Sequence, residues 1–326
     1  AARLAAGAAQ RRAMRVVVLD DYGSVFAGTS ACRALRDAGH EVRCESEALR
    51  GPALLRALAG AEAVLLTQQR TPLPRAVLSA LPGLRWLLNT GRNTSHVDAD
   101  ACREGGVRII TAGGGNPCPA AELTWALILA AARKLVENSG SLQAGRWQSA
   151  VGTDLSGKTL AIYGLGGIGS IVARVGAAFG MRVLCHGRPG STSVAAAAEC
   201  GYDFTDAKET LFREADVLSI HLKAVPETAG CITRADLAQM KTSAVLVNTA
   251  RAGLMERGAL VAALREGRPG YAALDVFDEE PLPASDPLLG LPNVLLTPHL
   301  GYVTRENMEG YYAAVVREFL RQASRL

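Results

Sequence analysis

No stretch of this chain is apolar for long enough to cross a bilayer. The nearest, Leu123 to Ala132, is about half of the roughly 20 residues that a spanning helix needs, and it follows Glu122. Aromatic residues are scarce at 5%, and no basic block is interleaved with them, which removes the usual footprint of a nucleic-acid binder. The net charge of +4 is small and spread along the chain; it favours anionic small molecules in general and selects none of them. The seven cysteines (32, 44, 102, 118, 185, 200 and 231) form no C-x-x-C and no His spacing suited to zinc, so no metal site is expected. Their odd, scattered count reads as free thiols in a reducing cytoplasm, most of them small core residues, with Cys118 accessible in a Gly/Pro-rich loop. Ala1 to Arg15 is rich in Ala and Arg and lacks acidic residues, a composition shared with transit peptides. The plainer reading, a disordered leader over 1–13 with folding from Met14, is preferred.

What is present is strand–helix alternation. With 326 residues the chain suits two domains, and 49% hydrophobic content lets each bury a core. Short apolar runs at Val16–Asp20, Val42–Cys44, Ala63–Thr67, Leu84–Leu88 and Val107–Ile110 predict strands. Ser30–Ala38, Pro52–Ala59, Pro74–Leu81 and Asp98–Glu104 predict the helices between them. Such alternation builds a parallel sheet with helices on both faces. The stretch Thr111 to Pro119 holds three consecutive glycines and two prolines; it reads as a hinge, since no P-loop lysine follows to make it a phosphate cradle. A long apolar helix over Ala120 to Leu135 is expected next, then a second series with strands at Leu160, Val217–Ile220, Ala244–Val247, Ala272–Leu274 and Val294–Leu296. Thr304 to Ala323 predicts an amphipathic closing helix.

The second series opens on Leu160-Ala161-Ile162-Tyr163-Gly164-Leu165-Gly166-Gly167-Ile168-Gly169. G-x-G-x-x-G alone is a weak signal in a chain with 34 glycines. Its setting strengthens it: four strand-like residues precede the turn, a helix-like Ile168 to Phe179 follows, and Gly180 to Cys185 reads as the next strand. A strand–turn–helix of this kind offers a dinucleotide pyrophosphate the backbone amides and positive dipole of a helix start. About 20 residues on, an NAD-specific unit carries Asp or Glu for the ribose hydroxyls. Here His186-Gly187-Arg188 stands there. With no carboxylate at Gly187 to repel a 2′-phosphate and a guanidinium beside it, the pattern favours NADP(H), with NAD(H) as the alternative if Arg188 only stacks on adenine. His186, Ser191 and Thr192 are further candidates for holding the phosphate.

Three motifs then follow in order: Asn248-Thr249-Ala250-Arg251-Ala252-Gly253, Asp275-Val276-Phe277-Asp278-Glu279-Glu280-Pro281, and Thr297-Pro298-His299-Leu300-Gly301. Each sets one reactive side chain, Arg251, Glu280 or His299, after an apolar strand-like run. A guanidinium holds a carboxylate with two parallel hydrogen bonds. A histidine passes protons near neutral pH, and a carboxylate beside it favours the charged ring. With a hydride source nearby, this trio suits reduction of a 2-oxo acid.

These four motifs in this order resemble the D-isomer-specific 2-hydroxyacid dehydrogenase family, over nearly the whole chain from Met14. The resemblance implies an α/β fold in which a Rossmann dinucleotide-binding domain (116–300) is inserted into a flavodoxin-like substrate domain (14–115 plus 301–326), with the active site in the cleft and a homodimeric assembly. It implies Arg251, Glu280 and His299 as the catalytic residues. Cofactor contacts are implied at Gly164, Gly166, Gly167, Ile168, Gly169, Gly187, Arg188, Thr249, Ala250, Asp275 and Gly301, Asp275 standing where the family bonds the nicotinamide carboxamide. The substrate carboxylate is implied to sit on the backbone of Gly91, Arg92 and Asn93. Asn93 stands where a second glycine is common, and Arg92 is either a second anchor for a larger or doubly charged acid or a solvated loop charge. Lys223 replaces a usual proline after His221-Leu222. The competing readings are oxidation of another small anion, such as formate or phosphite, and a nucleotide-sensing binding protein that keeps the triad.

Overall fold

The computed structural model describes residues 12–187 and 192–325. Most of the leader (1–11), together with Arg188 and Ser191, lies outside them; Arg12 pairs with Glu62 at 2.8 Å. The chain forms two compact units. One takes in the chain up to Asn116 together with Thr304 onward, and the other is Pro117–Val303.

The first unit carries β1 (Arg15–Val18), β2 (Glu41–Cys44), β3 (Ala63–Leu66), β4 (Trp86–Thr90) and β5 (Arg108–Ala112). They pair in parallel in the order β2-β1-β3-β4-β5. This is the flavodoxin-like order, whose ligand crevice lies at the carboxyl ends of the strands beside the β1/β3 switch point. Val17, Val64 and Leu87 are buried on the sheet. The closing helix Arg305–Ala323 belongs to this unit, capped by Thr304 on the Asn307 amide. It buries Tyr312 edge-on to Phe26 and Phe319 edge-on to Trp86, with ring centroids 4.9 and 5.4 Å apart.

The second unit carries β6 (Thr159–Tyr163), β7 (Arg182–His186), β8 (Asp203–Thr205), β9 (Val217–Ile220), β10 (Val245–Asn248), β11 (Tyr271–Leu274) and β12 (Val294–Leu296). All seven are parallel, in the order β12-β11-β10-β9-β6-β7-β8, a Rossmann sheet whose strand order reverses between β6 and β9. β6 is buried along its whole length, as a central parallel strand covered on both faces must be. Trp125, on the helix Cys118–Arg133, donates to the Val172 carbonyl at 3.2 Å and so ties that helix to the one after the glycine turn.

Several sequence-based bounds shift, each for a visible reason. The strand expected at Leu84–Leu88 runs over Trp86–Thr90, because Asn89 and Thr90 stay in the ladder: Asn89 Nδ2 donates to the Gly91 carbonyl at 3.1 Å, and Thr90 Oγ1 donates to the Leu66 carbonyl at 3.1 Å. The single helix expected over Ala120 to Leu135 is two, Cys118–Arg133 and Leu135–Gln143, separated by Lys134 in the left-handed region at φ 52°. Lys134 sets its ammonium 4.1 Å over the Tyr271 ring, a contact invisible in the local sequence. The edge strand β8 has three residues, too few for an alternation to register.

Candidate active site

Strands β10, β11 and β12 are neighbours, with Asn248, Leu274 and Leu296 in register. The residues that leave their carboxyl ends therefore emerge side by side. Asn248 is fully buried and clamps its own loop: its Oδ1 accepts from the Ala250 amide (2.9 Å) and its Nδ2 donates to the Arg251 carbonyl (3.0 Å). Thr249 shares a 2.8 Å hydroxyl contact with Thr124. Held in this way, Arg251 leaves its guanidinium exposed, donating one hydrogen bond to the Ala250 carbonyl (2.7 Å).

His299 takes φ 54°, a left-handed conformation that costs a non-glycine residue energy and needs support. The support is Asp275, which is 0% exposed. Its Oδ1 accepts from the Thr297 hydroxyl (2.6 Å) and the Leu300 amide (2.7 Å), and its Oδ2 accepts from the Gly301 amide (2.8 Å). Burial raises the Asp275 carboxyl above the usual carboxylate range, against the pull of these three donors and of His299. Its observed work is thus to fix the loop on either side of His299; a bond to a nicotinamide carboxamide would come in addition. A side chain at Gly301 would crowd the Asp275 carboxylate, with a Cβ only 3.2 Å from Oδ2.

Glu280 Oε2 meets His299 Nδ1 at 2.6 Å, and its Oε1 accepts from the Phe277 amide at 2.9 Å. Both side chains keep an opening to solvent, 25% for His299 and 31% for Glu280. Burial pushes the Glu280 carboxyl up, but the hydrogen bond and charge of His299, the Phe277 amide and the charge of Arg251 together hold it below the usual range. The pair orients the ring and leaves Nε2 as the nitrogen available to a substrate. It stabilises the protein above the carboxyl's unfolded value and is lost as pH falls through the depressed folded one. Glu280→Gln keeps a hydrogen-bond acceptor and removes the charge. The alkaline limb of the reduction rate is expected to move to lower pH in that variant; a limb that stays in place in a rate–pH series would contradict the role.

The glycine turn after β6 is built for a close ligand. Gly164 has φ 107°, and a Cβ there would lie 2.9 Å from the backbone of His221 and Leu222. A Cβ on Gly169 would run into the Gly164 carbonyl, 2.2 Å away, so the helix packs tightly on the turn. At Gly166, by contrast, a Cβ meets nothing within 4 Å. The outer glycines are thus demanded by packing, whereas the middle one keeps the backbone bare where a pyrophosphate would approach the helix Gly167–Ala178, with Ile168 in its first turn. These residues fit a dinucleotide. His186 ends β7 edge-on to Tyr163 (5.0 Å), followed by Gly187. His221, beside the turn, is driven to a pKa of about 4 by burial and hydrogen-bonds to Ser219 (2.8 Å), a neutral structural residue.

In the first unit, Gly91 takes φ 95° directly after β4. Arg92 and Asn93 are exposed. Asn93 does not need positive φ, which explains how a non-glycine residue stands there; its Oδ1 accepts from the Ser95 amide at 2.9 Å. Asn89, Asn248 and Thr297 carry loop contacts that no sequence motif assigns to them. The signal was a polar side chain closing or directly following an apolar strand.

A family model described as the NAD-binding domain of D-isomer specific 2-hydroxyacid dehydrogenases matches residues 125–301. A glyoxylate reductase of Aeropyrum pernix is 41% identical over 239 residues, covering 71% of this chain and 70% of that protein. A D-3-phosphoglycerate dehydrogenase of Mycobacterium leprae is 41% identical over 255 residues, 78% of this chain but 47% of that longer protein. A solved phosphoglycerate oxidoreductase from Vibrio cholerae O395 superposes with a TM-score of 0.90 at 40% identity, covering 96% of this chain and 100% of that one. These relatives favour a dehydrogenase over a nucleotide-sensing protein. The chain belongs to the D-isomer specific 2-hydroxyacid dehydrogenase family, oxidoreductases that exchange a hydride between a nicotinamide cofactor and a small 2-hydroxy or 2-oxo acid.

Proposed function

We propose that the protein reduces a small 2-oxo acid to its D-2-hydroxy acid, with His299 as proton donor, Glu280 as the group that hydrogen-bonds and orients it, and Arg251 as the carboxylate anchor. The observation that carries this reading is the 2.6 Å Glu280–His299 pair, in which Glu280 reaches from the segment after β11 to His299 after β12, while Asp275, directly after β11, braces the His299 loop. The bound nicotinamide supplies the hydride. His299 then gives the proton on Nε2 to the developing alkoxide, and the exposed guanidinium of Arg251 binds the acid and steadies the oxygen as negative charge grows. The backbone of Thr249, Ala250 and Gly301, with Asp275 behind, is the proposed nicotinamide floor. Of the loop implied to hold the carboxylate, the Gly91 amide is spent on the Ala112 carbonyl at 2.9 Å, so Arg92 and Asn93 are the proposed backbone donors, and the exposed Arg92 suits an acid with a second anionic group.

NADP(H) is the favoured cofactor. Gly187 ends the β7 turn without a carboxylate, and Arg188 comes next in sequence. Steady-state oxidation of NADPH and NADH with glyoxylate, hydroxypyruvate and pyruvate tests both points. Turnover is expected, with kcat/KM higher for NADPH, and Arg188→Ala should reduce that preference by roughly 10- to 100-fold. An unchanged cofactor ratio would remove Arg188 from the account.

Self-association fits the surface of the second unit. Five of the nine exposed large apolar side chains among the described residues fall between 135 and 151, including Trp147 at 77% and Val151 at 93%. A segment this apolar suits burial against a second copy. A cytoplasmic setting is the proposal that the odd, scattered cysteine count favours. Among the described residues no helix is long and apolar enough to cross a membrane, and no His/Cys/Asp/Glu group could hold a metal.

A further inference from the structure

Asn89 is the last residue but one of β4, and it is 0% exposed in a strand whose other side chains include Trp86, Leu87 and Leu88. A buried amide in such a place needs a reason, because an apolar residue would fill the site without polar atoms to satisfy. Its Nδ2 donates twice, to the Gly91 carbonyl at 3.1 Å and to the Asn93 carbonyl at 3.0 Å. Turning the amide over would set its oxygen against two carbonyl oxygens, so the assignment is fixed by its surroundings. Oδ1 is then left buried with no hydrogen-bond partner among the described residues.

The effect on the loop is one-sided. The Asn93 carbonyl is also held by Gln69 Nε2 at 3.1 Å, and the Gly91 amide is spent on the Ala112 carbonyl at 2.9 Å. The Ser95 amide is spent on Asn93 Oδ1 at 2.9 Å. Among the described residues nothing accepts from the amides of Arg92, Asn93 and Thr94. Two carbonyls of the loop are thus tied to buried or neighbouring donors, while three successive amides keep their hydrogens. A run of backbone N–H groups with its carbonyls tied back is an anion cradle, here at the carboxyl edge of a parallel sheet.

We infer that Asn89 is a positioning residue: by tying down the carbonyls of Gly91 and Asn93 it sets the polarity of the loop, so that the Arg92–Thr94 amides receive the substrate carboxylate. The inference rests on the reading that this loop holds the carboxylate of a 2-oxo acid. It assigns the selection of a carboxylate to a side chain that never touches the substrate. Asn89→Leu removes both donors at similar volume. Asn89→Asp, nearly isosteric, replaces the double donor with an acceptor that repels both carbonyls.

The test measures three constants on the full-length protein: KM for pyruvate, the dissociation constant of oxamate (a carboxylate analogue that is not reduced) with cofactor present, and the dissociation constant of NADPH. In both variants KM and the oxamate constant should rise about 10- to 100-fold, more in Asn89→Asp, while kcat at saturating pyruvate and the NADPH constant stay within about threefold. A general loosening of the fold would lower kcat and NADPH affinity as well. If Asn89→Leu fails to fold, Asn89→Asp carries the test. A folded Asn89→Asp with wild-type KM and oxamate affinity overturns the inference, as does an equal loss across all the constants. Wild-type protein that reduces no 2-oxo acid would overturn the functional reading and this inference with it, whereas an active wild type with an indifferent Asn89 overturns this inference alone.

Discussion

Alanine in place of His299 is expected to lower kcat for 2-oxo acid reduction by about a hundred- to ten-thousand-fold, with NADPH affinity nearly unchanged. The size follows from the geometry. Nδ1 is committed to Glu280 at 2.6 Å, Nε2 is left to the substrate, and the ring stands on a left-handed residue held by Asp275. Among the other histidines, His221 is half-buried, neutral at working pH and bonded to Ser219, so it cannot take over. Hydride arriving at the keto carbon would leave an alkoxide with no acid to protonate it, and water is a poor substitute. Alanine keeps the Cβ and so the left-handed strain, but the Asp275 bonds that hold this loop go to Thr297, Leu300 and Gly301 and do not use the ring, so the folded protein should persist. Single-turnover mixing of the NADPH complex with pyruvate checks this. Loss of only a few-fold would move the proton donor elsewhere.

Arg251→Ala is expected to act on both binding and chemistry. KM for the acid should rise, and kcat/KM should fall by about a thousand-fold or more, since the proposed role of the one guanidinium is both to anchor the carboxylate and to steady the oxygen that becomes charged. Arg251→Lys should recover only part of this, because an ammonium offers no planar pair of donors. Glu280 records the change as well. Part of what holds its carboxyl below the usual range is the charge of Arg251, so its titration should move up in Arg251→Ala. Steady-state kinetics with NADPH saturating separates the two constants. A Lys variant equal to wild type would argue for a simple point charge at this position.

Much of this was legible because the parallel α/β architecture writes itself into short apolar runs and the turns after them. Arg251, Glu280 and His299 each come after a strand end, and the sequence pattern of apolar run followed by polar motif marks all three; the structure brings Glu280 and His299 within 2.6 Å. The glycines were legible for the same reason, since Gly164 and Gly169 answer to backbone approach. What stayed hidden was the support. Asp275 read as a cofactor contact, because sequence gives no hint that Thr297, Leu300 and Gly301 converge on its two oxygens from the next strand. Asn89 and Asn248 lie just beyond the apolar runs expected to end at Leu88 and Val247, yet each belongs to its strand and ties the loop that follows it. Lys134 broke a helix that its apolar neighbours continue, through a contact with Tyr271 over a hundred residues away. Hydrogen bonds between loops depend on register, and register is a property of the assembled sheet.

The most direct measurement of the central claim is the product itself. Wild-type protein is mixed with NADPH and pyruvate, reduced-nicotinamide absorbance is followed, and the 2-hydroxy acid formed is resolved on a chiral column, with Arg251→Ala in parallel. One D-lactate for each NADPH oxidised, abolished by the substitution, is the result predicted by the Arg251–Glu280–His299 site. Oxidation without a hydroxy acid, or an L product, or turnover indifferent to Arg251, would contradict it.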